Sequence, residues 1–165
     1  MSDVTDTFYA SKATIGYGAQ LEVGDGASPE AFEAVADVIS IQFGAMTTAV
    51  VDKTHLRSLA AHREKIAAIR DSGAFAIKCI YDPTHESQSK AGGGAGAFVS
   101  GGLLEMWINR VNKDFRIKLN NGSPATVLPF KGVITKYQPG QIVVDNKIEL
   151  DIDITPVQDF SSALP

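Results

Sequence analysis

The chain alternates apolar and polar residues over short stretches, and that alternation predicts strands. From Lys147 to Thr155, Ile148, Leu150, Ile152 and Ile154 interleave with charged or hydroxyl-bearing residues, a period of two over nine residues. Such a period gives a strand with one buried face and one polar face. Asp114–Asn120 repeats it, with Phe115, Ile117 and Leu119 set against Arg116 and Lys118. So do Val38–Phe43, Ala19–Val23 and Ala74–Tyr81. Val127–Tyr137 is also strand-like, but Pro129 and Gly132 predict an edge or a bulge within it. Turn signals at Gly24-Asp25-Gly26, Asn120-Asn121-Gly122 and Pro139-Gly140 divide these runs. Repeated short, half-buried strands predict a mainly β (α+β) chain, an antiparallel sandwich or barrel.

One segment has another period. Leu104, Trp107, Ile108 and Val111 stand at i, i+3, i+4 and i+7, which predicts a single helix flanking the sheet. Ser100 is the expected N-cap, and Trp107 is expected in the core. The segment Val51–Asp71 is ambiguous: Leu59, His62, Ile66 and Ile69 fit one helical face, yet strands flank it on both sides. A long connection inside a compact β domain is uncommon and often functional. The expected organisation is an N-terminal arm over 1–13, one domain over 14–156 with 51–71 as a long arm, and a C-terminal tail over 157–165. The two ends lack periodicity.

Composition narrows the class. The chain has 165 residues, 44% hydrophobic and 21% charged, which suits one globular domain. The one cysteine, Cys79, excludes an intrachain disulfide, fits assembly in a reducing compartment, and is expected as a small buried hydrophobe. No apolar run reaches the roughly 20 residues that span a bilayer, and residues 1–13 lack the apolar core of a signal peptide. A net charge of −4 argues against gripping nucleic acid through phosphates.

Catalytic, metal-binding and cofactor-binding sets do not emerge. His62-Arg63-Glu64 lacks the spacing that puts two histidines on one helical face. Gly92–Gly96 lacks the Lys-Ser or Lys-Thr of a phosphate loop and is expected as a flexible approach to the helix. Three charge features remain. Glu22, Asp25, Glu30, Glu33 and Asp37 form an acidic segment; Lys53, Arg57, Arg63, Lys65 and Arg70 form a basic one with Glu64 as its lone acid. The two are either solvated loops or complementary faces of head-to-tail subunits, where opposite charge sets register. Glu149, Asp151 and Asp153 share one strand face, either a solvated surface or an acidic stripe lining a channel.

An ordered set of short motifs over residues 14–156 resembles the major tail tube proteins of long, flexible-tailed (siphovirus-type) phages. Ile15-Gly16-Tyr17-Gly18 with Leu21-Glu22-Val23 resembles the family's first strand. Val51-Asp52 with Thr54-His55-Leu56 resembles its "VDxTHL" segment. Arg63-Glu64, Ile66, Ile69 and Asp71-Ser72-Gly73 resemble the segment that follows. Tyr81-Asp82-Pro83, Leu103–Val111, Phe115-Arg116-Ile117, Ile134–Tyr137 and Ile152–Pro156 complete the order. The chain departs from the pattern at His62, where the family often has an aromatic, and at the Gly92–Gly96 run.

The resemblance implies a non-enzymatic virion protein, assembled in the host cytoplasm, that forms hexameric rings stacked into a tube. It implies an extended arm at 51–71 that reaches a neighbouring copy. The implied partners are further copies of the chain, a tape measure protein, and tail terminator and tail-tip proteins. DNA passes through the lumen without specific binding. A related ring protein, such as a terminator, joining protein or secretion-system tube, is the alternative role; a ligand-binding β-sandwich is a more distant one.

Overall fold

The computed structural model describes residues 16–55, 63–93, 96–120 and 124–158. The expected N-terminal arm, Arg57, His62, Gly94 and most of the C-terminal tail lie outside the described residues. Among the described residues, nine strands and one helix follow in the order β1 (Gln20–Gly24), β2 (Phe32–Ala34), β3 (Val38–Gln42), β4 (Thr47–Asp52), β5 (Lys65–Asp71), β6 (Phe75–Ile80), α1 (Leu103–Asn109), β7 (Lys113–Leu119), β8 (Thr126–Pro139) and β9 (Glu149–Pro156).

Seven strands form one antiparallel sheet in the order β2-β1-β7-β8-β9-β6-β3, and β4 pairs with β5 separately. The outermost strands, β2 and β3, are adjacent in the chain and joined by residues 35–37 alone. Three residues span at most about 10 Å, so the sheet must wrap round until its two edges lie close together. Val35 anchors the link by donating to the Leu21 carbonyl at 2.8 Å, and Ile80 donates to the Asp37 carbonyl at 3.0 Å. Asp37 takes a left-handed conformation at φ 53, which a short polar side chain tolerates.

The wrapped sheet encloses one core. Leu21, Val23, Ile77, Ile117, Leu150, Ile152 and Ile154 point into it, one alternate set from each strand. Phe130 joins two of its aromatic rings, 4.5 Å from the Phe75 ring and 5.6 Å from the Phe115 ring. Residues 82–93 and 96–102, with α1, cover the core, contributing Phe98, Leu103 and Met106. The covering loop is held by polar contacts. Gln88, fully buried, donates to the Ile80 carbonyl at 2.8 Å and accepts from the Asp82 N–H at 2.9 Å. Tyr137 donates its hydroxyl to the Gln88 carbonyl at 3.1 Å.

Three expectations need correction. The buried stripe of α1 is Leu103 and Met106, whereas Trp107, Ile108 and Val111 are 38–44% exposed. Trp107 is therefore outside the core. The helix is capped by the Gly102 backbone without a side-chain hydrogen bond, so Ser100 is not the N-cap. Strand β8 lies centrally, between β7 and β9, and its bulge falls between Ile134 and Lys136. Pro129 is accommodated because β9 pairs with β8 only from Gly132 onward, leaving the Pro129 region with β7 alone. Gly132 is a close-approach position: a Cβ there would stand 2.8 Å from Ile154 Cγ2.

Candidate assembly surfaces

The surfaces that the fold leaves open are a projecting arm, an apolar helix face, an apolar loop and a charged outer sheet face. The arm is the β4–β5 hairpin, in which every residue of both strands is exposed. An isolated two-stranded hairpin is marginal in water, and this one presents Val50, Val51, Ile66 and Ile69 to solvent. Ile66 and Ile69 lie in β5, not on a helix; Leu59 lies outside the described residues. Within the hairpin Lys53 pairs with Glu64 at 3.5 Å, and Asp52 accepts from the Thr54 N–H at 2.8 Å. The Thr54 hydroxyl, which also donates to this carboxylate, and then the N–H hold the Asp52 carboxyl below the usual carboxylate range. Arg63, Lys65 and Arg70 are exposed along the arm.

The structure divides the acidic segment. Glu22 is buried and its carboxylate bonds Arg116 of β7, whose guanidinium also lies 4.1 Å from the Phe32 ring centroid. Glu33 accepts from the Ala97 N–H at 3.1 Å, fastening the covering loop to β2. Asp25 organises its own turn by accepting from the N–H groups of Ala27 and Ala31 at 2.9 and 3.1 Å. Those two donors depress its pKa. Glu30 is half-buried, and Asp37 is exposed. Asp25 and Asp37 thus keep some carboxylate surface open to a partner, whereas Glu22 and Glu33 already serve the subunit and one Glu30 carboxylate oxygen is buried without a hydrogen bond.

Glu149, Asp151 and Asp153 lie on the outer face of β9, opposite the buried Leu150, Ile152 and Ile154. They are acidic in sequence and balanced in space. Lys78 of β6 reaches Glu149 at 3.1 Å and Asp151 at 3.7 Å, Lys147 reaches Glu149 at 4.0 Å, and Lys136 stands opposite Asp153 in register. The two carboxylates raise the Lys78 pKa, its contact with Glu149 foremost. Single-strand patterning showed Lys147 alone, because Lys78 and Lys136 come from β6 and β8.

Two apolar surfaces escaped the sequence reading. The β8–β9 loop holds Ile142 at 80% and Val144 at 100% exposure. The outward face of α1 meets β8 in a groove lined by Trp107, Ile108, Arg110 and Val133. Folded chains expose single apolar residues routinely; contiguous patches mark contact surfaces.

Among the described residues, no set of chemistry-bearing side chains gathers into a reactive centre. Burial pushes the Cys79 thiol up to about 12, with a smaller contribution from Asp37. His85 faces Ser87 Oγ at 2.9 Å in the turn that follows Asp82. No group of three or more His, Cys, Asp or Glu side chains suited to a metal occurs among the described residues. No helix among them is long and apolar enough to cross a membrane.

Comparison with known proteins agrees with this geometry. Solved structures share the fold at low sequence identity. The tail of an empty gene transfer agent particle, determined with C6 symmetry, matches with a TM-score of 0.61 at 12% identity, over 89% of this chain and 96% of that one. The sheath/tube terminator of an extracellular contractile injection system matches at 0.59 and 14% identity, over 91% and 96%. The tube-terminating cap of the anti-feeding prophage matches at 0.59 and 16% identity, over 94% and 95%. No curated protein matches in sequence. The family model for the lambda phage tail tube protein covers residues 17–161, and the chain belongs to that family of structural, non-enzymatic virion tail proteins.

Proposed function

We propose that the chain assembles with copies of itself into hexameric rings, which stack into the tail tube through which DNA leaves the particle. The observation that carries this reading is the wholly exposed β4–β5 arm. A marginal hairpin bearing four exposed aliphatic side chains and a row of cations needs a surface to lie on. The sixfold symmetry of the gene transfer agent tail of like fold supports six copies per ring. In this reading the basic arm (Lys53, Arg57, Arg63, Lys65 and Arg70) meets the acidic segment of the next copy. Asp25 and Asp37 supply most of the contact, since Glu22 and Glu33 are engaged internally and one Glu30 carboxylate oxygen is buried. The outer β9 face with Glu149, Asp151 and Asp153 lines the lumen. Interleaved with Lys78, Lys136 and Lys147, it carries three charges of each sign and offers a duplex no net basic hold. The tape measure protein, the terminator and the tail-tip proteins are the partners at the bore and the two ends of a siphovirus-type tail.

Electron microscopy of the concentrated protein tests this, with tubes of uniform bore as the expected result. The variant Arg63→Glu/Lys65→Glu is expected to fold normally and fail to stack. Normal tubes from it would remove the charge-pairing element of the reading.

A second reading has its own support, because two solved structures of like fold are a terminator and a terminating cap. A chain in that role closes single rings and never elongates, an outcome the same micrographs distinguish.

A further inference from the structure

The arm and the sheet edge are one ribbon. In β3–β6, Gln42 opposes Ala76; in β4–β5, Thr47 opposes Asp71. The two numbers of each pair add to 118, so the register carries across from Ser40–Lys78 in the body to Thr48–Arg70 in the arm, before a bulge between Thr48 and Val50 shifts the rest of the arm by one residue. Between the two ladders lie residues 43–46 on one strand and 72–75 on the other, four against four, with no residue inserted or lost. A ribbon with unbroken register has no reason to stop pairing there unless its strands are made to cross.

Glycines stand at the crossing. A Cβ on Gly44 would lie 2.5 Å from the Ala74 carbonyl oxygen and 2.7 Å from the Gly73 carbonyl carbon. A Cβ on Gly73 would lie 2.8 Å from the Ala45 carbonyl oxygen and 3.0 Å from the Gly44 carbonyl carbon. Each glycine therefore clears the backbone of the other's neighbourhood, and the obstacle is main chain that cannot rotate aside. Gly73 is also left-handed at φ +66. Both sides of the crossing are held. On the body side Phe43 and Phe75 meet edge to face at 5.4 Å. On the arm side the Asp71 carboxylate accepts from the Gly73 N–H at 2.9 Å.

We infer that Gly44 and Gly73 are positioning residues: their crossing is a fixed elbow that turns the arm out of the sheet and sets the direction in which it reaches a neighbouring copy. The fold itself does not need the arm aimed in any one direction, since β4 and β5 add nothing to the buried core. The assembly consequence rests on the tube reading above; the direction of the arm does not.

The two are tested separately. Spin labels on Ala67→Cys, at an exposed arm position, and Gln138→Cys, at an exposed position of β8, report the arm-to-body distance in the unassembled protein while Cys79 stays buried. A single narrow distribution is expected for the native elbow. Gly44→Ala and Gly73→Ala are each expected to displace or broaden it, and to abolish tube formation without changing the core's thermal unfolding. Gly16→Ala, where an added Cβ meets nothing within 4 Å, is the matched control and is expected to change neither readout. If Gly44→Ala fails to fold, Gly73→Ala, with the looser clash, decides the matter alone. An unchanged distribution in a folded elbow variant overturns the inference, as does a changed distribution with normal tubes. If the native protein forms no tubes, the tube reading falls while the distances still decide the elbow.

Discussion

Glu22 and Arg116 form the most enclosed ion pair among the described residues, with the carboxylate side chain 8% exposed and the guanidinium side chain 31% exposed. Removing one partner of such a pair leaves a buried charge without compensation. Arg116→Ala is therefore expected to cost about 3 kcal/mol, measured by denaturant unfolding, whereas the double variant Glu22→Gln/Arg116→Met is expected to cost distinctly less. Cys79 offers a second residue-scale test. Fully buried and opposite Leu150 of β9 in register, with its pKa pushed up to about 12, it carries almost no thiolate at neutral pH. It is expected to react with thiol reagents only at the rate of unfolding, and rapid labelling of the native chain would contradict that placement.

Among the elements, the helix best shows what periodicity conveys. Leu104, Trp107, Ile108 and Val111 form a true apolar stripe, but a stripe does not say which of two apolar surfaces it will meet. In α1 the core takes the adjacent stripe, Leu103 and Met106, and leaves Trp107 outward. Met106→Ala is accordingly expected to cost about 2–4 kcal/mol of stability. Trp107→Ser is expected to cost much less and to impair assembly instead, a split readable by thermal unfolding beside electron microscopy. The half-buried strands β6, β7 and β9 were legible because each alternates cleanly against one core; β1 and β3 are strands as the pattern predicts, but β1 also buries Glu22, and a bulge between Val38 and Ser40 leaves Ile39 exposed while Val38 and Ile41 pack on the core. Three-residue β2 was too short to show a period, and β4 has no buried face to generate one. The charge sites were legible as composition only. Glu22 looked like a surface acid until the fold brought Arg116 of a distant strand beside it, 94 residues along the chain.

At the scale of the whole molecule, electrostatics separates stability from assembly. Asp25, Asp52 and Asp82 are all held below the ordinary carboxylate pKa by N–H or hydroxyl donors in their own turns. A depressed folded pKa means the unfolded chain binds protons first as pH falls. The stabilisation is complete above the ordinary value of 3.8 and is lost as pH drops through the lower folded values. Unfolding midpoints measured from pH 6 to pH 2 are expected to stay level and then fall below about pH 4, with Asp25→Asn, Asp52→Asn and Asp82→Asn together blunting the fall. Added salt, in contrast, is expected to act on contacts between copies. Exposed arm charges are screened within about 8–10 Å at physiological ionic strength, so stacking weakens while the core, which is apolar, does not. Tube length against salt concentration, followed beside thermal unfolding, reads the two effects apart.

The unbroken register through the elbow makes the arm a ruler that can be recut. Because pairing resumes at Thr47–Asp71 in the phase set by the body, adding two residues to each strand beyond the Thr48–Val50 bulge lengthens the arm by about 7 Å and keeps every side chain on its original face. Adding one to each turns the faces over instead. A family of chains built on this ribbon can thus change its reach in discrete steps without redesigning the body, and single-residue changes in arm length should be scarce among them.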